Sequence, residues 1–195
     1  QGVFGYALPG ETELTITKME HYWDEGFGYL QGLDNQFVPG LADGGDRAHL
    51  NYYLNKINSQ GNEDGITKKI YDAFTLGRAA IVAKDYDERD KQAAIVAAEI
   101  SKVVGYKAFY YIEKGSGYIS EGKWAAAHHA LSEAYGFILG MQFTKAADGE
   151  PYMTNGEVNT MLDALAAGNG FWDRTPAELD DMAVQLKTAT GLSSP

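Results

Sequence analysis

A polar stripe at helical spacing occurs twice in this chain, and it limits the possible folds more than any other feature. The first copy is His21-Tyr22-Trp23-Asp24-Glu25-Gly26-Phe27-Gly28-Tyr29-Leu30, and the second is His129-Ala130-Leu131-Ser132-Glu133-Ala134-Tyr135-Gly136-Phe137-Ile138. His, Glu and the second Gly fall in register. Residues at i, i+3, i+4 and i+7 share one face of a helix. One face therefore carries His21, Asp24, Glu25 and Gly28, the other His129, Ser132, Glu133 and Gly136. Two copies of one stripe predict an all-α bundle with pseudo-symmetric halves that meet there. Gly28 and Gly136 would let the two helices come close.

The rest of the chain supports helices throughout. Residues 1–13 lack a periodic pattern and turn at Pro9-Gly10. Thr17 and Glu20 form a capping box that opens a helix to about Gln31. Glycines and Pro39 make 32–46 a loop, and Asp46 caps a helix over about 47–60. Apolar positions at Ile66, Ile70, Phe74, Gly77 and Ile81 predict a helix over 66–84. Residues 85–90 cap the next helix, an alanine-rich one over about 88–113, which ends at a turn in Gly115-Ser116-Gly117-Tyr118. The second motif helix spans about 122–143, and a sixth helix spans 156–167. The last spans 176–190, opened by Thr175, Pro176 and Glu178. No stretch alternates as a strand does. The expectation is a single all-α domain over 1–195 with about seven helices. Trp23, Phe27, Leu30, Phe74, Ile81, Leu131, Tyr135 and Ile138 are its expected core.

Composition removes several classes of function. The net charge of −11 opposes nucleic acid, whose phosphates need a basic surface. The lack of cysteine rules out disulfides, thiolate metal sites, iron–sulfur clusters and cysteine nucleophiles. No apolar run approaches about 18 residues, so no segment reads as a membrane span. The opening Gln1-Gly2-Val3-Phe4, without Met, reads as a trimmed product.

The stripes are expected to bind a metal ion, with a structural polar contact as the alternative reading. A His and a carboxylate one turn apart can grip a metal, and bundles build metal sites from facing Glu and His side chains. On that reading His21, Glu25, His129 and Glu133 are the ligands, with Asp24, Arg78 and Ser132 behind them. Neutral imidazole with carboxylates suits a transition metal such as Fe or Zn. On the other reading the same residues make structural polar contacts. Arg78, alone in an apolar helix, calls for a carboxylate partner, and Glu25 or Glu133 would serve. Tyr22 and Trp23 are packing residues. His128 points away from His129 towards the surface or a place behind a ligand, and His49 is structural. Asp43-Gly44-Gly45-Asp46 and residues 85–90 read as a turn and a helix cap rather than calcium loops. A metallopeptidase role is weak, since no residue stands out as a general base, and the chain is not expected to be an enzyme.

The first motif resembles the hallmark helix of the bacterial domain-of-unknown-function family 4856, with its Trp-Asp-Glu-Ala-Phe-Gly-Tyr stretch. Leu76-Gly77-Arg78-Ala79-Ala80-Ile81 and the second motif resemble later helices of that family. The resemblance covers about residues 14–145. It implies an exported protein, often a lipoprotein, at the periplasmic or outer surface of a bacterium. It also implies a C-terminal part of a longer precursor, partnered by an N-terminal fragment of that precursor or by another surface protein. More loosely, the design is similar to imelysin-like proteins linked to iron uptake, which carry His-x-x-Glu. This chain has His-x-x-x-Glu instead, so a role in iron or other metal acquisition follows only if the stripes bind metal.

Overall fold

The computed structural model describes residues 3–6, 14–32, 50–59 and 65–192. The fold is all-α, and the described residues form seven α-helices and one small ribbon. Two strands, β1 (Val3–Tyr6) and β2 (Leu14–Thr17), pair antiparallel with Val3 opposite Thr17. Valine, tyrosine, threonine and isoleucine favour strands, yet four residues are too few for alternation to register in the sequence. The chain divides into two compact units, 1–96 and 97–195.

In the first unit, α1 (Lys18–Gln31) follows β2 directly. Its N-terminus has the expected capping box. The Glu20 amide donates to Thr17 Oγ1 at 3.3 Å, and the Thr17 amide donates to Glu20 Oε2 at 2.6 Å. Helix α2 (Leu50–Ser59) and helix α3 (Ile66–Ala83) both pack on α1. Leu30, Leu54, Ile57, Ile66, Ile70, Phe74 and Ile81 fill the space between them. Trp23 and Phe27 are half-buried. Helix α4 (Tyr86–Ser120) begins here, with Asp85 Oδ1 accepting from the Glu88 amide at 3.0 Å. The expected Asp46 cap and the Asp43–Asp46 turn lie outside the described residues, as does His49.

The second unit holds the rest of α4, then α5 (Trp124–Gly140), α6 (Asn155–Ala166) and α7 (Pro176–Thr190). Short 3-10 turns occupy Met141–Phe143 and Gly170–Asp173. The turn expected at Gly115-Ser116-Gly117-Tyr118 is absent, and α4 runs straight through it to Ser120. Tertiary packing overrides glycine's poor helix propensity here. A Cβ on Gly115 would lie 2.5 Å from Leu131 Cδ2, so the bare backbone is the seat for that leucine. Ser116 Oγ donates to Asp180 Oδ1 at 2.7 Å, which fixes α7 against the same stretch.

Helices α6 and α7 repeat the capping box of α1, with Thr154 and Glu157 at one and Thr175 and Glu178 at the other. The far end of α6 is held by Arg174, which donates to the Ala164 and Ala167 carbonyls at 2.6 and 3.1 Å. These contacts satisfy acceptors that the helix itself leaves open.

The three cap glutamates have a pH consequence. Their carboxyls are held below the ordinary value of 4.5. The leading causes are the Thr17 amide for Glu20, the Thr154 hydroxyl for Glu157 and the Thr175 amide for Glu178. A carboxyl lowered on folding stabilises the folded state above its unfolded value, and that gain is lost as pH falls through the folded value. Stability should therefore drop as pH falls below 4.5. Changing Glu20, Glu157 and Glu178 together to Gln keeps the acceptor oxygens and removes the titration. Thermal melts from neutral pH to about pH 3 should show a shallower acid slope in that variant. An unchanged slope would assign the acid sensitivity to other carboxylates.

Candidate functional site

The first stripe stands on α1, which packs against α3. His21 Nε2 lies 3.4 Å from Glu25 Oε1, one turn further on. The His21 side chain is mostly buried, whereas Glu25 is half exposed. The neighbouring row, Glu20 and Asp24, faces α3 and takes Arg78 between its two carboxylates. Arg78 Nη1 donates to Glu20 Oε1 at 2.7 Å and Nε donates to Asp24 Oδ1 at 2.8 Å. The expected partner of Arg78, Glu25 or Glu133, is thus replaced by Glu20 and Asp24. The reason is angular: consecutive residues point about 100° apart around a helix, and it is the row at 20 and 24 that meets Arg78 on α3. Burial alone would lower the Arg78 pKa, but the hydrogen bonds to Asp24 and Glu20 outweigh it and hold the guanidinium above its ordinary value.

Beside this clamp, Trp23 lies across Gly77. A Cβ on Gly77 would overlap the Trp23 ring, so no larger residue fits without moving the indole. The indole Nε1 donates to the Phe74 carbonyl at 2.9 Å, and the ring meets Phe74 edge to face. Phe27 meets Tyr71 and Phe74 in the same way. Trp23, Asp24, Phe27, Tyr71, Phe74 and Arg78 line a shallow groove between α1 and α3.

The second stripe stands on α5. His129, Ser132, Glu133, Gly136 and Phe137 line one open depression. Ser132 Oγ donates to the His128 carbonyl at 2.7 Å, and the Phe137 ring stacks on Tyr111 at 5.8 Å. The buried face of α5 is instead Ala127, Ala130, Leu131, Ala134 and Ile138. Tyr135, expected in the core, is 38% exposed because it follows Ala134 by about 100° around the helix. His128 packs edge-on against Trp172 with ring centroids 4.1 Å apart, and its Nε2 is buried without a described partner.

Gly28 and Gly136 do not mark close approaches. No described atom lies within 4 Å of a Cβ built on either. Glycines that do admit a neighbour include Gly77 for Trp23, Gly115 for Leu131 and Gly105 for Thr190.

His21 and Glu25 are thus together in the first unit, as are Asp24 and Arg78, while His129, Ser132 and Glu133 share a depression in the second. Among the described residues, no three His, Asp or Glu side chains are gathered so as to hold a metal ion. Sequence reasoning missed Glu20 as an Arg78 partner and Gly77 as the seat of Trp23. The signal for both was the adjacency of a glycine and a lone arginine in an apolar helix. No helix among the described residues is long and apolar enough to cross a membrane.

Neither a curated protein nor a solved structure matches the chain. The family described as Domain of unknown function (DUF4856) matches residues 10–193, and the chain belongs to that family.

Proposed function

We propose that this protein is an exported interaction or scaffold protein of the bacterial surface, whose His and Glu stripes serve structure. The Arg78 clamp is the observation that carries this reading. One carboxylate of the first motif, Asp24, and Glu20 just before it are engaged by a guanidinium from α3, and the motif's tryptophan fills the glycine beside it. Such a device ties helices together and leaves the exposed faces free for a partner. That partner would be an N-terminal fragment of the same precursor or another surface protein. The surface location comes from the family resemblance, and fractionation of cells with antibody detection checks it.

A rival reading is a transition-metal carrier for Fe or Zn. The 3.4 Å approach of His21 to Glu25 favours it, as does the shared depression of His129 and Glu133. One experiment separates the two. Protein purified without added metal should contain far less than one equivalent by elemental analysis, and added Zn or Fe should leave Tm unchanged. A stoichiometric metal would overturn the structural reading. It would also raise Tm, by about 2.7 kcal/mol of stability at a hundredfold excess over Kd. That rise would vanish in His129→Ala but not in His49→Ala.

A further inference from the structure

Helices α6 and α7 enclose a groove of about 960 Å³, larger than the depressions on α5 and between α1 and α3, at about 430 and 360 Å³. Met153, Met161 and Met182 line it and are nearly buried, while Val184 on its wall is 62% exposed. Three of the chain's five methionines thus meet in one place. A thioether chain has soft rotamers and adapts its shape, so methionine-lined surfaces receive apolar side chains of varied form. Polar residues, Glu157 and Gln185 among them, complete the lining.

The helices around the groove are acidic. Of their carboxylates, Glu157 lines the groove and Asp181 stands one turn before the lining Gln185 on the same helix face. Asp180 accepts from Ser116 of α4, and Glu178 lies 3.8 Å from Arg174. The one cation on these helices, Lys187, is engaged by Glu113. The Glu157 carboxyl is held below its ordinary value by Thr154, so it keeps its charge at neutral pH. An apolar floor within a carboxylate-rich surround complements a helix that is apolar on one side and basic on the other. Helix α6 has 12 residues, about 18 Å at 1.5 Å per residue, which matches about three turns of such a helix.

We propose that the α6–α7 groove receives the apolar face of a basic amphipathic helix from a partner protein, an assignment that rests on the reading of this chain as an interaction protein. The methionines take apolar side chains at i, i+3 or i+4 and i+7 of the partner. Glu157 and Asp181 face its lysines or arginines. Negative membranes and nucleic acids are repelled by the same carboxylates.

The test uses the full chain labelled at its methionine methyl groups, titrated by NMR with a synthetic Leu/Lys amphipathic helix and with its Leu/Glu counterpart. The signals of Met153, Met161 and Met182 should shift with the Leu/Lys peptide, while those of Met19 and Met141 stay in place. The Leu/Glu peptide should bind at least about tenfold more weakly, a difference of roughly 1.4 kcal/mol. Glu157→Gln with Asp181→Lys keeps the cap acceptor of α6 and should weaken Leu/Lys binding by about the same factor. Val184→Lys, at an exposed wall position, should also weaken it, since it removes apolar contact and adds like charge. Equal affinity for both peptides, a uniform shift of all five methionines, no shift, or variants that bind unchanged would each overturn the proposal. The metal analysis is independent of this titration, so failure here leaves the structural reading of the stripes to its own test.

Discussion

Replacing Leu131 with Ala should lower the stability of the second unit by about 2–5 kcal/mol, the range for deleting a buried leucine and leaving part of its cavity behind. Leu131 is fully buried, and its side chain rests on the bare backbone of Gly115. Close-packed interiors relax only partly around such a deletion. The gap would open between α4 and α5, where neither backbone can close in without unseating Ile138 and Ala134 on the same buried face. The chain's three tryptophans allow the loss to be placed. Trp124 and Trp172 lie in the second unit and Trp23 in the first, so their indole NMR signals during urea unfolding report the units separately. A loss below about 1 kcal/mol would mean that the buried face of α5 is not the one that holds the unit together.

Elements that depend on local chemistry were legible in the sequence. Thr17 with Glu20, and Thr175 with Pro176 and Glu178, predict helix starts because the hydrogen bonds involved close within four residues. The end of α6 near Gly168 and Gly170 was equally plain, since both adopt the left-handed backbone that glycine favours. Gly115 and Gly117 were misread for the converse reason. In isolation they look like a turn, and only Leu131, brought up from another helix, makes Gly115 worth keeping in the middle of α4. The strands β1 and β2 escaped notice because four residues carry no measurable period.

The candidate site was half legible. Spacing placed His21 beside Glu25 and put His129, Ser132 and Glu133 on one face, and both follow from the helix repeat alone. Which face meets a neighbour does not follow from the repeat. The repeated stripe suggested that Gly28 and Gly136 sit at a contact, yet both positions are open among the described residues. The contact between α1 and α3 is made by Glu20, Trp23, Asp24 and Phe27, and those residues are not repeated in the second motif. A repeat shows where two segments are alike, whereas packing is decided by what each one meets.

The exchange of Gly77 for Ala should destabilise the first unit by about 2 kcal/mol, although alanine is the better helix former by up to about 1 kcal/mol. The new methyl would overlap the Trp23 ring, and overpacking of this kind costs about 1–3 kcal/mol or more. Trp23→Ala should itself cost about 3 kcal/mol, at the low end for a deleted tryptophan because the ring is only half-buried and because the bond to the Phe74 carbonyl goes with it. The informative variant is the double one. With the indole gone, the methyl at position 77 meets open space and contributes its helix propensity, so Gly77→Ala should turn stabilising by about 0.5–1 kcal/mol. The coupling between the two positions should then reach about 2–3 kcal/mol, the upper part of the range for residues in direct contact. Gly28→Ala serves as the control: a helix-interior glycine with nothing near its Cβ position should gain about 0.5–1 kcal/mol in either background. Additive effects at 23 and 77 would remove the tryptophan from its glycine seat, and with it the packing that places Asp24 against Arg78.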